Sequence, residues 1–200
     1  MKAYLPLIGA VILLSPIAVA VAQTPSALSW PVPPIGETCT YRVTTRPTGV
    51  VYTRTSTFSD AGRYCFDTVS PKGGETVCVN ADGNVIEMAN TLSSPHSGFF
   101  AWPLTVGKEW EYAFLTIGKS GGQSHFTKRV KVVSYEKVSA GGQLYDAFKI
   151  EAIGRRMDGG NAWSETAFYA PSVGKTVKYE SSDFDSSEFL GCAAGKGASR

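Results

Sequence analysis

The chain has 200 residues, of which 43% are hydrophobic and 18% are charged, and its formal net charge is +2. This length favours a single domain with a substantial apolar core. A nearly neutral chain lacks the electrostatic footprint of a nucleic-acid-binding protein. The densest basic run, Lys128-Arg129 with Lys131, is interpreted as a solvated strand, with Lys128 on the opposite face from the other two.

The first 22 residues predict a secretory signal peptide. Lys2 supplies the positive start, Leu5 to Val21 is mostly apolar, and Ala20-Val21-Ala22 matches an A-x-A cleavage site. The first cysteine, Cys39, stands too far from that site to carry a lipoprotein anchor. We therefore expect cleavage after Ala22, a mature chain without a membrane span, and a location in the periplasm or outside the cell.

Four cysteines in an exported chain predict two disulfides. Cys65 and Cys78 flank a turn at residues 70–74, so their strands should pair antiparallel. The preferred pairing is therefore Cys65–Cys78 with Cys39–Cys192, and the alternative is Cys39–Cys65 with Cys78–Cys192. No two cysteines form a C-x-x-C pair, so we expect neither a metal site nor a cofactor.

In chain order, residues 23–36 are rich in proline and predict an extended lead-in to a single β domain at residues 37–180. Residues 89–101 are predicted as a long loop, and residues 181–200 as a mobile tail tied by Cys192. No window has a helical apolar stripe. The predicted strands cover residues 38–45, 50–58, 63–69, 75–80, 84–88, 109–117, 125–135, 145–153, 162–170 and 175–179.

One short phrase occurs three times, as I-G-E-T-C-T-Y at 35–41, V-G-K-E-W-E-Y at 106–112 and V-G-K-T-V-K-Y at 173–179. A proline shortly precedes each copy, glycine permits a tight turn, and the following residues alternate as in a strand. Each copy therefore predicts the beginning of a strand. A duplicated sheet module and independent use of the same phrase are both open explanations.

These elements predict an all-β fold, an antiparallel meander of about ten strands that forms a strongly curved sheet or an open barrel, with two similar halves as one alternative. A curved sheet has a concave face that aromatic side chains can line. They can equally be the core itself. Six residues are the candidates for lining a ligand site: Phe99, Phe100, Trp102, Trp110, Phe114 and Trp163.

The sequence contains no convincing catalytic constellation, so we predict no catalytic residue and no enzyme. The G-K-S-G-G segment at 118–122 matches G-x-S-x-G, but it lies between predicted antiparallel strands and not between a strand and a helix. The two histidines, His96 and His125, lie in different segments without an adjacent acid in a known pattern. A hydrolase with an unrecognised site is the third-ranked hypothesis.

The second half carries V-x-x-Y-E-K-V at 132–138, G-G-Q-L-Y-D-A-F-K-I-E at 141–151 and E-T-A-F-Y-A-P-S-V-G-K-T-V-K-Y-E at 165–180. In these motifs the chain resembles periplasmic β-sheet proteins of the bacterial envelope whose function is unknown and which share a closing F/W-Y-A-P-x-V-G strand. The resemblance covers Pro103 to Glu180. It implies a curved sheet, distantly similar to the half-barrels that carry lipids or lipoproteins, and it supplies no catalytic residues.

The leading functional hypothesis is an exported, non-enzymatic, monomeric β-domain. It would bind a lipid or another apolar ligand, or an envelope partner protein, on its concave aromatic face. The alternative is a structural or accessory module of an envelope complex without a small ligand.

Overall fold

The computed structural model describes residues 26–195 of the chain. This part consists of β-strands that are joined by turns and loops. These residues contain no helix that is long and apolar enough to cross a membrane. The predicted signal peptide at residues 1–22 lies outside the described range, as do residues 23–25 and 196–200.

Fourteen strands follow one another within residues 26–195. They are β1 (Ser26–Ala27), β2 (Thr38–Thr44), β3 (Val51–Asp60), β4 (Cys65–Ser70), β5 (Gly73–Val79), β6 (Val85–Met88), β7 (Thr91–Ser94), β8 (Leu104–Thr105), β9 (Glu109–Ile117), β10 (Gln123–Ala140), β11 (Gln143–Arg156), β12 (Ala162–Ala170), β13 (Lys175–Ser181) and β14 (Ser186–Ala193).

Twelve of these strands form a closed antiparallel barrel in the order β10-β11-β12-β13-β14-β2-β3-β4-β5-β6-β7-β9, and β9 pairs with β10 to complete it. The remaining two, β1 and β8, pair with each other. The all-β antiparallel prediction is confirmed. The barrel is closed, however, and it has more strands than the ten or so expected. A division of the sheet into two similar halves stays a prediction.

Two strands, β7 and β14, account for the difference between the ten predicted strands and the twelve of the barrel. β7 lies inside the segment 89–101, which the sequence predicts to be a loop, and β14 lies inside the predicted tail. Both are rich in serine, and their pairing comes from distant neighbours, since Leu92 stands opposite Ile117 and Phe189 opposite Tyr41. The β domain therefore extends well beyond residue 180.

The repeated phrase opens β2, β9 and β13, as the sequence predicts, and its glycines have positive φ angles of 80° at Gly36, 89° at Gly107 and 65° at Gly174. Neighbouring strands in the barrel are all antiparallel, and these three strands are separated by even numbers of positions. They therefore run in the same direction. All three phrases consequently lie at one end of the barrel, which we call the strand-start end.

Two apolar clusters lie on opposite faces of β11, because successive side chains of a strand alternate between faces. Phe148 and Ile150 belong to one cluster, and Tyr145 and Ala147 belong to the other. The first cluster also contains Tyr169 and packs against the aromatic residues of the segment 99–102. The second joins the outer part of the β10–β11 hairpin to neighbouring strands, through Val138, Phe168, Ala170, Val177 and Phe189.

Two disulfides join Cys39 to Cys192 and Cys65 to Cys78, which is the pairing preferred in the sequence analysis. In both cases the two cysteines are register partners on adjacent strands. The first disulfide connects strands that lie 153 residues apart in the chain, and the second closes a separation of 13 residues. The disulfides indicate that the chain folds in an oxidising compartment.

Candidate functional site

A plug loop, residues 95–103 between β7 and β8, is held at the strand-start end by side chains that bond its backbone. Asn84 is 1% exposed, donates from Nδ2 to the Phe100 carbonyl at 2.8 Å, and accepts the Phe100 N–H at 2.6 Å. Lys108 Nζ donates to two carbonyls of the loop, one of them that of Pro103. Because buried backbone groups are costly without partners, these bonds make the plug loop an integral part of the barrel.

A buried ion pair lies next to the plug loop. Lys128 Nζ is 2.8 Å from Glu165 Oε2, and the two side chains are 3% and 6% exposed. The same ammonium donates to the Ser97 carbonyl at 3.0 Å and lies 4.8 Å from the ring centroid of Phe99. The Tyr179 hydroxyl donates to Glu165 Oε1 at 2.7 Å. Each charge is thus hydrogen-bonded as well as paired, which is the condition under which a buried pair is tolerated.

The burial of Lys128 corrects the interpretation of the basic run as a solvated strand. Arg129 and Lys131 are 72% and 51% exposed, as expected, but Lys128 points into the protein. Its register partner on β11 is Gly154, next to the Ala152 that stands opposite Glu165. The small Ala152 leaves room for the ion pair to span β11, whereas the space over Gly154 is filled by the Trp163 ring, which would lie 2.1 Å from a Cβ there.

Burial raises the pKa of the phenol in four tyrosines. The pKa rises from 10.0 to about 12 for Tyr41 and for Tyr169. Burial raises the pKa of Tyr112 and of Tyr179 well above the usual range, and the Glu165 carboxylate is the second cause of the rise. Tyr112 donates its hydroxyl proton to the Gly98 carbonyl of the plug loop. All four therefore remain neutral hydrogen-bond donors at physiological pH.

We expect the folded chain to lose stability in alkali. Because the folded-state pKa of each of these phenols lies above its ordinary value of 10.0, the folded state holds protons that the unfolded state releases. The stability that these phenols add to the folded state is fully present below pH 10 and is lost as the pH rises towards 12. Denaturant unfolding across this range, together with tyrosinate absorbance, tests the expectation. Ionisation of all tyrosines near pH 10 in the folded protein would contradict it.

A cavity of about 170 Å³, half open to solvent, lies at the strand-start end beside the plug loop. Trp30 and Pro33 of the N-terminal segment form part of its wall. Its walls are mostly apolar or aromatic, with a few hydroxyl groups and one amine. The lining residues are Trp30, Pro33, Cys39, Tyr41, Ser56, Phe66, Val79, Gly83, Phe100, Tyr169, Gly174, Lys175 and Thr176.

Two glycines make room for the N-terminal segment that flanks this cavity. A Cβ at Gly83 would lie 2.8 Å from the Trp30 ring, and a Cβ at Gly174 would lie 2.5 Å from Cγ of Pro31. The Trp30 ring also packs edge-on against Tyr64, with centroids 6.0 Å apart. The N-terminal segment, which the sequence predicts to be extended, is thus packed on the barrel through Trp30 and Pro31.

Replacing Gly174 with alanine is expected to loosen this segment, because the new methyl group would push Pro31 away. Gly49→Ala is the matched control, since Gly49 has φ +68° against +65° for Gly174 but nothing within 4 Å of a Cβ. Both substitutions should cost about 1–2 kcal/mol of backbone strain. Only Gly174→Ala should accelerate amide hydrogen exchange in residues 26–36. Equal exchange in the two variants would show that the contact with Pro31 does not hold the segment.

Five of the six predicted lining residues pack against other apolar side chains and do not line the cavity. Phe100 alone among them lines the cavity, where it stacks on Trp102 at 5.3 Å. Phe99 and Trp110 pack against the cluster around Tyr169. Phe114 and Trp163 are 7% and 8% exposed and sandwich Phe126. Sequence reasoning missed Tyr41 and Tyr169 as lining residues, although their positions on predicted strands were a usable signal.

Neither histidine completes a catalytic arrangement among the described residues. The ring of His96 packs on Tyr112 at 4.8 Å, its buried Nδ1 has no hydrogen-bond partner, and burial lowers its pKa. His125 lies exposed on β10. Glu37, Cys39 and Cys192 bring three ligand-type atoms within 4.8 Å of one another, but both sulfur atoms belong to the disulfide and cannot bind a metal as thiolates.

A larger depression of about 570 Å³ lies along β4, β5 and β6. It is about as open to solvent as the smaller cavity, but no aromatic side chain lines it. Its lining residues are Arg63, Asp67, Thr68, Val69, Gly74, Glu75, Thr76, Glu87, Ala89 and Asn90. Small-molecule sites are concave and mostly apolar, so the smaller cavity is the better candidate despite its size.

No protein-family model matches the chain, and no curated protein sequence matches it. Three solved structures share its fold. A proposed exported protein with a YmcC-like fold from Bacteroides fragilis has a TM-score of 0.55 and 12% identity, over 84% of this chain and 99% of that chain. A proposed lipoprotein from Parabacteroides distasonis has a TM-score of 0.53 and 10% identity, over 84% and 99%.

The third structure, the hypothetical lipoprotein YmcC from Escherichia coli, has a TM-score of 0.51 and 10% identity, over 78% of this chain and 84% of that chain. Identities this low establish the fold and transfer no functional residue. The resemblance to envelope β-proteins of unknown function is confirmed at that level, while the F/W-Y-A-P-x-V-G motif stays a prediction. The chain is therefore an antiparallel β-barrel with the YmcC-like fold.

Proposed function

We propose that this chain is an exported, non-enzymatic barrel that binds one small neutral molecule in the cavity beneath Trp30 and Pro33. The observation that carries the proposal is that the hydroxyl groups of Tyr41 and Tyr169 have no hydrogen-bond partner in the described part of the protein. Both line the cavity, and within residues 26–195 neither phenol is hydrogen-bonded to another side chain or to the backbone. Neither hydroxyl is among the buried polar atoms that lack a partner, so both are open to the cavity and can bond a ligand there.

The size of the cavity limits the ligand. At about 170 Å³ it is close to the engineered cavity of about 150 Å³ that holds benzene, and it is smaller than the roughly 300–1,000 Å³ typical of sites for drug-sized molecules. We therefore propose a ligand about the size of one aromatic ring, in place of the lipid-sized ligand that the family resemblance implies.

The charge of the cavity favours a neutral ligand. Lys175 is the only charged residue of the lining, and its Nζ lies 2.5 Å from Glu37 Oε2. Phe66 and Phe100 offer apolar contact, and the two phenols remain protonated donors because burial raises the pKa of each to about 12. A ring with one hydrogen-bonding substituent matches this combination.

The exported location in this proposal rests on the predicted signal peptide and on the two disulfides. Disulfides persist in oxidising compartments such as the periplasm and are rare in the cytosol. Cleavage after Ala22 remains part of the proposal, and mass spectrometry of the chain purified from its own host would give its N-terminal residue.

Binding of phenol and benzene to the purified oxidised protein tests the ligand proposal. We expect both probes to bind, with phenol the tighter. The variant Tyr41→Phe/Tyr169→Phe should weaken phenol binding by about threefold to tenfold for each hydrogen bond lost and leave benzene binding unchanged. Tyr52→Phe, which changes a tyrosine that does not line the cavity, is the matched control.

Titrations followed by ligand-observed NMR give the affinities. Because neither hydroxyl supports the fold, we expect the double variant to fold normally. Its folded state can be checked independently of phenol binding. If neither probe binds at millimolar concentration, or if the double variant binds phenol as the original chain does, the ligand proposal is wrong. The accessory module without a small ligand would then be favoured.

A further inference from the structure

One arginine of the barrel faces inwards, beside the cavity but outside its lining. Arg54 on β3 shares a face of the strand with Ser56, which lines the cavity, and with Phe58, which is 0% exposed. Its register partner on β2 is Tyr41, and the guanidinium carbon Cζ lies over the Tyr41 ring, 5.6 Å from the ring centroid. The interior thus holds a cation that is not part of the proposed ligand site.

The guanidinium of Arg54 has no partner for its hydrogen bonds or its charge within residues 26–195. Its Nε is enclosed without an acceptor. The terminal nitrogens also make no hydrogen bond to the described residues, but they are not enclosed, since the side chain is only partly buried. None of the ion pairs in this range includes Arg54, and the remaining residues, 1–25 and 196–200, contain no Asp or Glu. Arginine stays protonated in proteins, so the charge persists.

The carboxylates of the neighbouring elements are bound to other groups or face elsewhere. Glu37, just before β2, pairs with a lysine at the start of β13. Asp185, just before β14, pairs with Lys72. Glu75 on β5 lines the open depression along β4, β5 and β6. Within the described part of the chain, the charge of the inward-facing arginine is therefore left without compensation.

The surroundings of the guanidinium favour a carboxylate with a single negative charge. The Tyr41 ring occupies one side of the guanidinium, and the N–H groups in the guanidinium plane stay available. A carboxylate accepts two such N–H groups in parallel. A second cation, Lys72, lies over the ring of Tyr52 at 5.0 Å, but it is paired with Asp185. One positive charge therefore remains for the ligand, and a phosphate dianion would bring an excess negative charge into the barrel.

We propose that Arg54 binds the carboxylate of a small organic acid inside the barrel, end-on through its two terminal nitrogens. The carboxylate neutralises a charge that is uncompensated in a partly buried place, where charge-assisted hydrogen bonds are strong. The contact with Tyr41 limits the orientations of the guanidinium and so prepares it for binding. A purely structural role is disfavoured, because an inward-facing charge without a partner destabilises a fold.

Titration of the oxidised, isotope-labelled chain with acetate tests this proposal by NMR, with chloride at equal ionic strength as the reference anion. We expect acetate, and not chloride, to shift the backbone amide signals of β2 and β3 saturably in the millimolar range. Arg54→Gln should weaken acetate binding about tenfold or more, the usual effect of losing a charge-assisted hydrogen bond. Arg54→Lys keeps the charge but lacks the planar fork, so its affinity should lie between the two.

The control variant is Arg155→Gln. Arg155 is exposed on β11 and, like Arg54, belongs to no ion pair within the described range, so its loss should leave acetate binding unchanged. Without acetate, Arg54→Gln should unfold at a denaturant concentration similar to that of the original chain, and a strongly destabilised variant would assign Arg54 to the fold instead. Absence of a saturable acetate shift, an equal shift with chloride, or undiminished acetate binding by Arg54→Gln would each overturn the proposal. Phosphate that binds more tightly than acetate would overturn the choice of a carboxylate.

Discussion

Replacing Lys128 with methionine is expected to lower the free energy of unfolding by about 3–5 kcal/mol, the usual result of removing one partner of a buried ion pair. The Glu165 carboxylate, 6% exposed, would keep its bond from Tyr179 but lose the ammonium 2.8 Å away. The Ser97 carbonyl of the plug loop would lose its donor as well. Urea unfolding of the oxidised protein at neutral pH measures the change.

A double-mutant cycle separates the charge effect from the loss of packing. Lys128→Met/Glu165→Gln should be more stable than Lys128→Met alone, because the amide still accepts from Tyr179 and carries no charge. The neighbouring Arg129→Met is the control, since Arg129 pairs with Glu111 on the surface, is 72% exposed, and should matter little. A Lys128→Met variant as stable as the Arg129→Met variant would show that the buried pair does not support the fold.

Removal of the Cys39–Cys192 disulfide by alanine substitution at both positions is expected to destabilise the chain by about 4–5 kcal/mol. The reason is the separation of 153 residues that it closes, since cross-linking a long loop restricts the unfolded chain most. The same change at Cys65 and Cys78, which are 13 residues apart, should cost about 3 kcal/mol.

The two disulfide variants serve as controls for each other, because each removes a disulfide between register partners on adjacent strands. Cys65 and Cys78 are both buried, whereas Cys192 is exposed, so the loss of packing alone would give the opposite order of stability. Denaturant unfolding with a common slope gives the comparison. If the Cys65 and Cys78 variant were the less stable of the two, local packing around that hairpin would matter more than the restriction of the unfolded chain.

The features that sequence reasoning predicted are those encoded locally. Proline, then glycine, then alternating residues defined the starts of β2, β9 and β13, because turn conformation and strand alternation depend on a few neighbouring residues. The pairing of β4 with β5 followed from one short turn between Cys65 and Cys78. Closure of the barrel was not predictable in this way, since β9 meets both β7 and β10 through a register that no local pattern specifies.

The candidate site was less predictable than the fold for a related reason. Alternation correctly placed Lys128 opposite Arg129 and Lys131, but whether that opposite face is buried depends on Gly154, Ala152 and the plug loop. Of the aromatic residues chosen from composition, Phe100 lines the cavity and the others pack elsewhere. Tyr41 and Tyr169 both line the cavity because β13 and β14 link β12 to β2 in the sheet, a pairing that no local pattern specifies.

The pairing of β2 with β14 has a consequence for how the chain reaches its folded state. β2 is the first barrel strand to emerge during synthesis, and β14 is the last, so one ladder joins the two ends of the domain. Until β14 arrives, β2 presents an unpaired edge on that side. Edges of this kind are open to aggregation, and pairings so distant in sequence form slowly. The barrel can therefore be completed only after the whole domain has been synthesised, and its nascent strands need protection until then.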